Sequence, residues 1–311
     1  MKKQLLTIIA TAGLLAGCTA KGPSNLEVSV ICPTGAPSLA FYNYATDSKF
    51  ETNSNAQDGI LPLMVKGEKD VVVLPTNAGI QAITKKNAPY KIAATITFGN
   101  VYIASTGHDA DNTLNDGDYI ILFSQGQVPD LLFHYIYGTS LDSNAHYVSN
   151  VTDAAKCLKT GKNMTSNNED VDYVLIAEPA LTNVMNTTPT VTIAKNLQEE
   201  YKTKSNGLEI FQASIFVNNN LENSKAKSFL KQIEKDVKDG LKDNNKVKEG
   251  LSKAEDVTAL YGVPSADVVD QTLKNNNSMG LGFKYAKENK AAIDNFLSVF
   301  NIAETNEEIY F

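Results

Sequence analysis

From Leu26 the chain alternates: Leu26, Val28 and Val30 are apolar, Glu27 and Ser29 polar, and Ile31 and Cys32 close an apolar end. A period of two predicts a strand with one buried face. A turn of small residues follows, Thr34-Gly35-Ala36-Pro37-Ser38, and then a helix through Phe41, Tyr42 and Tyr44. Pro37 suits the first helical turn, where its missing N–H costs nothing. The same order of strand, small polar turn and helix recurs. Asp70 to Pro75 reads DVVVLP, a continuous apolar run of the kind covered on both faces. It leads through Thr76-Asn77-Ala78-Gly79 into a helix from Ile80 to Lys86. Tyr119 to Phe123 leads through Ser124, Gln125, Gly126, Gln127, Val128, Pro129 and Asp130 into a helix ending at Tyr137. Asp172 to Ile176 ends on Ala177-Glu178-Pro179-Ala180-Leu181.

Between these units Tyr90 to Thr97 and Val101 to Ser105 read as strands joined at Phe98-Gly99-Asn100. Ala145 to Ser149, Val191 to Ala194 and Phe211 to Val217 complete the strands. Ile60 to Val65 is a short helix closed by Gly67, Asp153 to Leu158 another, and Asp47 to Gln57 a loop or weak edge strand. From Asn223 onward the pattern is helical, with Phe229, Ile233 and Val237 at helical spacing and Lys/Glu-rich faces in water. Strands alternating with helices predict an α/β protein with two lobes of mixed, mainly parallel sheet flanked by helices. The second series of units begins near Tyr119. We therefore expect one lobe from 26–104 and 218–311 and the other from 105–217, with chain crossings near Ser105 and Val217.

The start of the chain reads as a processing signal. Lys2 and Lys3 precede an apolar run from Leu5 to Leu15, and Leu15-Ala16-Gly17-Cys18 matches a lipoprotein cleavage box. The run is shorter than the roughly 20 residues a spanning helix needs. Export, cleavage before Cys18 and lipid on that cysteine are the expectation, with 19–25 as a tether. That places the protein on the extracytoplasmic face of the cell membrane.

Composition then narrows the chemistry. The net charge is −7, and the lysines are spread along the chain, which argues against a nucleic-acid partner. All 28 basic residues are lysine, so no guanidinium fork is present for a carboxylate, phosphate or sulfonate. An anion would have to be held by backbone N–H groups, hydroxyls, amides or lysine. Cys32 and Cys157 read as separate buried thiols, and His108, His134 and His146 are scattered, so no metal-ligand spacing and no cofactor site emerges.

In open α/β sheets ligands lie beyond the carboxyl ends of strands. The candidate binding residues are accordingly Thr34, Gly35, Ala36, Pro37, Ser38, Thr76, Asn77, Phe98, Gly99, Gln125, Gly126 and Glu178. Each turn read alone is also an ordinary helix cap. Glu178 is the one carboxylate at a buried strand end, and no histidine or second carboxylate is spaced to serve it, so no catalytic residue is assigned.

PTGAPSLAF, DVVVLPTNAG, FGNVYIAS and YVLIAEPALT, in this order in a lipoprotein, resemble the solute-binding lipoproteins of ABC importers. The nearest group is the thiamine-precursor, sulfonate, taurine and nitrate binding proteins. The likeness spans roughly Leu26 to Phe216 by motif. It implies a type II periplasmic-binding fold, two lobes on a two-strand hinge, and a small polar or anionic ligand enclosed between them. By that resemblance Thr34 to Ser38 form the first ligand loop, Thr76 and Asn77 the second, Gln125 and Gly126 the loop of the other lobe, and Glu178 the cleft carboxylate. Phe98 or Tyr42 would supply an aromatic wall. Amino-acid-binding relatives rely on an arginine absent here, which disfavours that ligand class. The implied partners are an importer permease and the membrane, with the protein a monomer. The alternative is an enzyme on the same fold, similar to those of menaquinone synthesis, with Glu178 as base; a rigid scaffold lipoprotein is a third reading.

Overall fold

The structure, a computed structural model, describes residues 26–107, 113–166 and 168–311. The expected leader, Cys18, the tether and His108 lie outside the described residues.

Eleven strands are described: β1 (Val30–Pro33), β2 (Phe50–Asn53), β3 (Val71–Pro75), β4 (Tyr90–Thr97), β5 (Val101–Ser105), β6 (Ile120–Phe123), β7 (Ala145–Val148), β8 (Tyr173–Ala177), β9 (Thr192–Asn196), β10 (Ala213–Asn218) and β11 (Leu281–Tyr285). The α-helices are α1 (Leu61–Lys66), α2 (Thr76–Lys86), α3 (Val128–Tyr137), α4 (Val151–Thr160), α5 (Ala180–Met185), α6 (Leu197–Lys204), α7 (Asn223–Lys242), α8 (Asn244–Leu251), α9 (Val257–Tyr261), α10 (Ala266–Lys274) and α11 (Lys290–Ser298). A 3-10 helix, Ala36–Tyr44, follows β1.

The strands form two mixed sheets. The first runs β11-β4-β10-β3-β1-β2 and the second β7-β6-β8-β5-β9. Parallel pairs hold β2, β1 and β3 in one sheet and β7, β6 and β8 in the other, as the strand–turn–helix order requires. The strands beside the crossings, β4, β5, β9 and β10, pair antiparallel, as does β11. β3 is buried on both faces: Val72 and Leu74 join one apolar cluster and Val71 and Val73 the other.

The chain crosses between lobes earlier than the sequence reading places it. β4 belongs to the first sheet and β5 already to the second, so the outward crossing is 98–100, not Ser105. The return lies between α6 and β10, near 205–212, because β10 inserts between β3 and β4. The physical reason is β5 itself: all five of its residues are buried, and it takes β8 and β9 as neighbours on its two sides. Two further differences concern element bounds. α2 starts at Thr76, with Pro75 as its cap, so Thr76 and Asn77 are helical. Within the stretch expected to be helical throughout, Leu281–Tyr285 is a strand paired with β4.

Cys32 and Cys157 are both buried and free, in different apolar clusters. The two lobes also share a packed flank, where Phe296 of α11 meets Tyr201 of α6 edge to face at 6.2 Å. The C-terminal residues return to the first sheet: the Phe311 N–H donates to the Ile92 carbonyl at 3.0 Å.

Candidate functional site

The carboxyl ends of β1, β3, β6 and β8 meet at a cavity of about 470 Å³ between the lobes, at Pro33, Pro75, Phe123 and Ala177. Helix starts close it: Ala36 and Pro37 from the first lobe, and Val128, Pro129, Val151, Thr152 and Ala180 from the second. The volume is that of an ordinary small-molecule site. Asn100 on the outward crossing, Gln212 and Ala213 on the return, and Gly262 to Pro264 after α9 complete the walls.

The expected residues divide. Thr34, Gly35, Ala36, Pro37 and Glu178 line the cavity, while Ser38, Thr76, Asn77, Phe98, Gly99, Gln125 and Gly126 stand outside it. Ser38 is fully buried, and its hydroxyl donates to the Gly35 carbonyl at 2.7 Å. Thr76 turns into its own lobe, its hydroxyl 2.7 Å from that of Ser214, which lies 2.8 Å from that of Thr95. Phe98 packs edge-on against Phe211 at 5.6 Å, beneath the Lys284 ammonium. Gln125 and Gly126 are exposed; the next three residues, Gln127 to Pro129, reach the cavity instead.

The first loop offers less backbone than its sequence suggests. Its conformation needs glycine at Gly35, where φ is +94°. Yet the Gly35 N–H already donates to the Tyr261 carbonyl at 2.7 Å, that of Thr34 to Asn53 at 3.3 Å, and that of Ser38 to Gly35 at 3.1 Å. Pro37 has no N–H. Ala36 alone keeps an N–H without a partner among the described residues. A ligand therefore meets one backbone donor here, with the remaining polarity supplied by side chains.

Those side chains are amides and hydroxyls. Thr34, Asn100, Gln127, Thr152, Asn183 and Gln212 all line the cavity; Thr34 and Gln127 lie in turns the sequence marked, and the other four went unread. Thr152 and Asn183 were recoverable, since each sits in the first helical turn after a strand. Asn100 and Gln212 were not, because their roles depend on each other. Asn100 donates to the Glu178 carbonyl at 3.0 Å and accepts from the Gln212 amide at 3.0 Å. That order fixes both amides and leaves Gln212 Oε1 buried and without a partner among the described residues.

Among the described residues Glu178 is the one ionisable group lining the cavity, and no lysine reaches it. Its carboxylate is not a free base. One oxygen accepts the Thr182 N–H at 2.9 Å; the other accepts the hydroxyls of Thr182 at 2.7 Å and Ser278 at 3.2 Å. Burial pushes its pKa up, and the three hydrogen bonds oppose that shift without cancelling it. The folded value thus lies above the unfolded one, so native protein binds this proton more tightly than the unfolded chain. Its contribution to stability is complete below the usual carboxylate range and is lost as pH rises through the raised value. Glu178→Gln should accordingly gain stability relative to native protein between acid and neutral pH in parallel denaturant titrations; a pH-independent difference would sink this account.

The lobes also touch beside the cavity. The Asn186 and Gln271 amides exchange hydrogen bonds at 2.8 and 3.1 Å, joining α5 to α10. Among the described residues no group of three potential metal ligands occurs, and no helix is long and apolar enough to cross a membrane.

No family model and no curated protein matches this chain. Solved structures do. An ABC transporter protein from Parabacteroides distasonis superimposes with a TM-score of 0.70 at 18% identity, over 89% of this chain and 92% of its own. The ligand-binding component of an ABC-type import system from Staphylococcus aureus, solved with zinc bound, gives 0.62 at 10% identity, over 92% and 96%. The periplasmic aliphatic sulphonate binding protein of Escherichia coli gives 0.60 at 12% identity, over 91% of each chain. At these identities the likeness is one of fold. The chain has the periplasmic-binding-protein fold, and the type II arrangement implied by its motifs agrees with these neighbours.

Proposed function

We propose that the chain is an extracytoplasmic solute-binding protein that captures a small polar or anionic organic molecule between its lobes and delivers it to an ABC importer. Lipid on Cys18 anchors it to the outer face of the cell membrane. One observation carries the reading: four strand ends and the helix starts of both lobes converge on one cavity of about 470 Å³. The fold shared with importer components supports it.

Such a receptor performs no chemistry; it needs only a ligand that favours the arrangement in which both lobes contact it. Thr34 and Ala36 on one side and Gln127, Thr152 and Asn183 on the other make the contacts, with Asn100 and Gln212 at the floor. Nothing in the cavity favours the enzyme alternative, because the Glu178 carboxylate is spent on Thr182 and Ser278.

A thermal-shift panel of vitamins, pyrimidines, sulfonates, nitrate and amino acids tests the reading, since a ligand that binds only the native state raises the melting temperature by mass action. A stabilising compound supports capture. Failure of a broad panel, together with no co-purified molecule, removes its support. With a ligand in hand, Asn186→Ala should speed its release several-fold in stopped-flow measurements and cost less than about 1 kcal/mol of stability, the value of an exposed hydrogen bond. An unchanged release rate would show that this amide pair does not hold the lobes together.

A further inference from the structure

A second cavity, about 760 Å³, lies in the first lobe away from the interlobe site. β10 connects the two: Ala213 lines the interlobe cavity, and Val217 and Asn218, at the other end of the strand, line this groove. At strand rise, Ala213 and Val217 stand about 14 Å apart. The occupant of one cavity therefore does not reach the other.

Four lysines converge on the groove from three elements. Lys91 comes from β4, Lys227 and Lys231 from successive turns of α7, and Lys287 from the segment after β11. Among the described residues no Asp or Glu side chain lines it, although Glu234 accepts the hydroxyl of the lining Tyr285 at 2.8 Å. None of the four takes part in an ion pair among the described residues, in a chain where acidic residues outnumber lysines 35 to 28. Partners were within reach of the same helix: Lys235 pairs with Asp239 at 2.7 Å and Lys238 with Glu234 at 2.6 Å. The groove lysines instead face one concavity, where like charge is concentrated and the low-dielectric wall focuses its field. The first turn of α7 reaches the same space through Asn223, with the Glu222 carboxylate at the helix cap. The walls are apolar in part, with Leu230 and Tyr310 buried behind the lysines.

We propose that this groove is a phosphate-binding site, taking the phosphate of a small organic phosphate or of a phospholipid headgroup. A phosphate monoester carries close to two charges and three strong acceptors, and lysines act on it as point charges where no guanidinium is present. The organic part of the molecule rests on Tyr285 and Phe311, the half-buried apolar side chains of the wall. This site is independent of the interlobe reading and stands if that reading fails.

The test uses the full chain with two probes: glycerol 3-phosphate in solution, and vesicles of phosphatidylglycerol compared with phosphatidylcholine. Comparing the vesicles with each other cancels any contribution of a lipid anchor. Lys227→Gln/Lys231→Gln removes two groove charges. Lys235→Gln/Lys238→Gln changes the net charge equally on the same helix, outside the groove. Two lysines at an anionic surface correspond to roughly thirtyfold in affinity. If the source is lipid, native protein prefers phosphatidylglycerol and the groove variant loses roughly that factor, while the control variant keeps it. A soluble source instead gives stabilisation by glycerol 3-phosphate that the groove variant loses, with no preference between vesicles. The proposal is overturned if neither probe distinguishes native protein from the groove variant, or if the control variant loses as much.

Discussion

Gly280→Ala should destabilise the protein by about 2–5 kcal/mol. Gly280 sits between α10 and β11 at φ +63°, and a Cβ there would lie 2.0 Å from the Gly99 carbonyl oxygen and 2.9 Å from its carbon. Left-handed backbone costs a residue with a side chain about 1–2 kcal/mol, and forced overpacking a further 1–3. The obstacle is backbone on the outward crossing, and the Phe98 N–H donates to the Gly280 carbonyl at 2.8 Å, so neither side swings away. Gly126→Ala provides the comparison. Its φ is +74° with nothing within 4 Å of the added carbon, so only the conformational cost applies. Equilibrium unfolding of the two variants checks the difference; equal losses would mean that the Gly99 contact yields.

Asn100→Ala should cost roughly 2–6 kcal/mol and weaken ligand binding. The side chain is 4% exposed and joins three segments: the crossing that carries it, the end of β8 through the Glu178 carbonyl, and the return crossing through Gln212. Its removal leaves a buried carbonyl and a buried amide unpaired, each worth about 1–3 kcal/mol. Because Gln212 Oε1 has no partner among the described residues, the loss of Asn100 strands its amide altogether. Gln212→Ala added to Asn100→Ala should therefore cost little more, within about 0.5 kcal/mol, although Gln212→Ala alone is costly. Additive losses in the double-mutant cycle would show that the two amides act separately.

The sequence carried the local steps of this structure better than the distant ones. The apolar run Val71–Pro75 and the small turn before Pro37 state their own conformations, and both were placed. The crossing at 98–100 was not, since a three-residue link between two strands reads the same whether they share a sheet or part company. β11 was hidden for a different reason. Leu281, Phe283 and Tyr285 do alternate, but only for five residues between an Asn-rich turn and the next helix. At the site, the small-residue loop announced a backbone grip that Tyr261 and Asn53 largely occupy, one of them more than two hundred residues away. Asn100 and Gln212 became visible only when folding brought them together. Glu178 was found by its position at a strand end, but its bond to Ser278, a hundred residues on, determines what its carboxylate can do.

Native mass spectrometry tests most directly whether this cavity holds a solute. Gently purified protein should carry one small molecule per chain, released on denaturation. Ala155 on α4 lines the cavity and is half-buried, so Ala155→Trp fills that space while leaving the fold intact. The account predicts that this variant stays folded and carries no such mass. Retention of the same molecule by Ala155→Trp would contradict it.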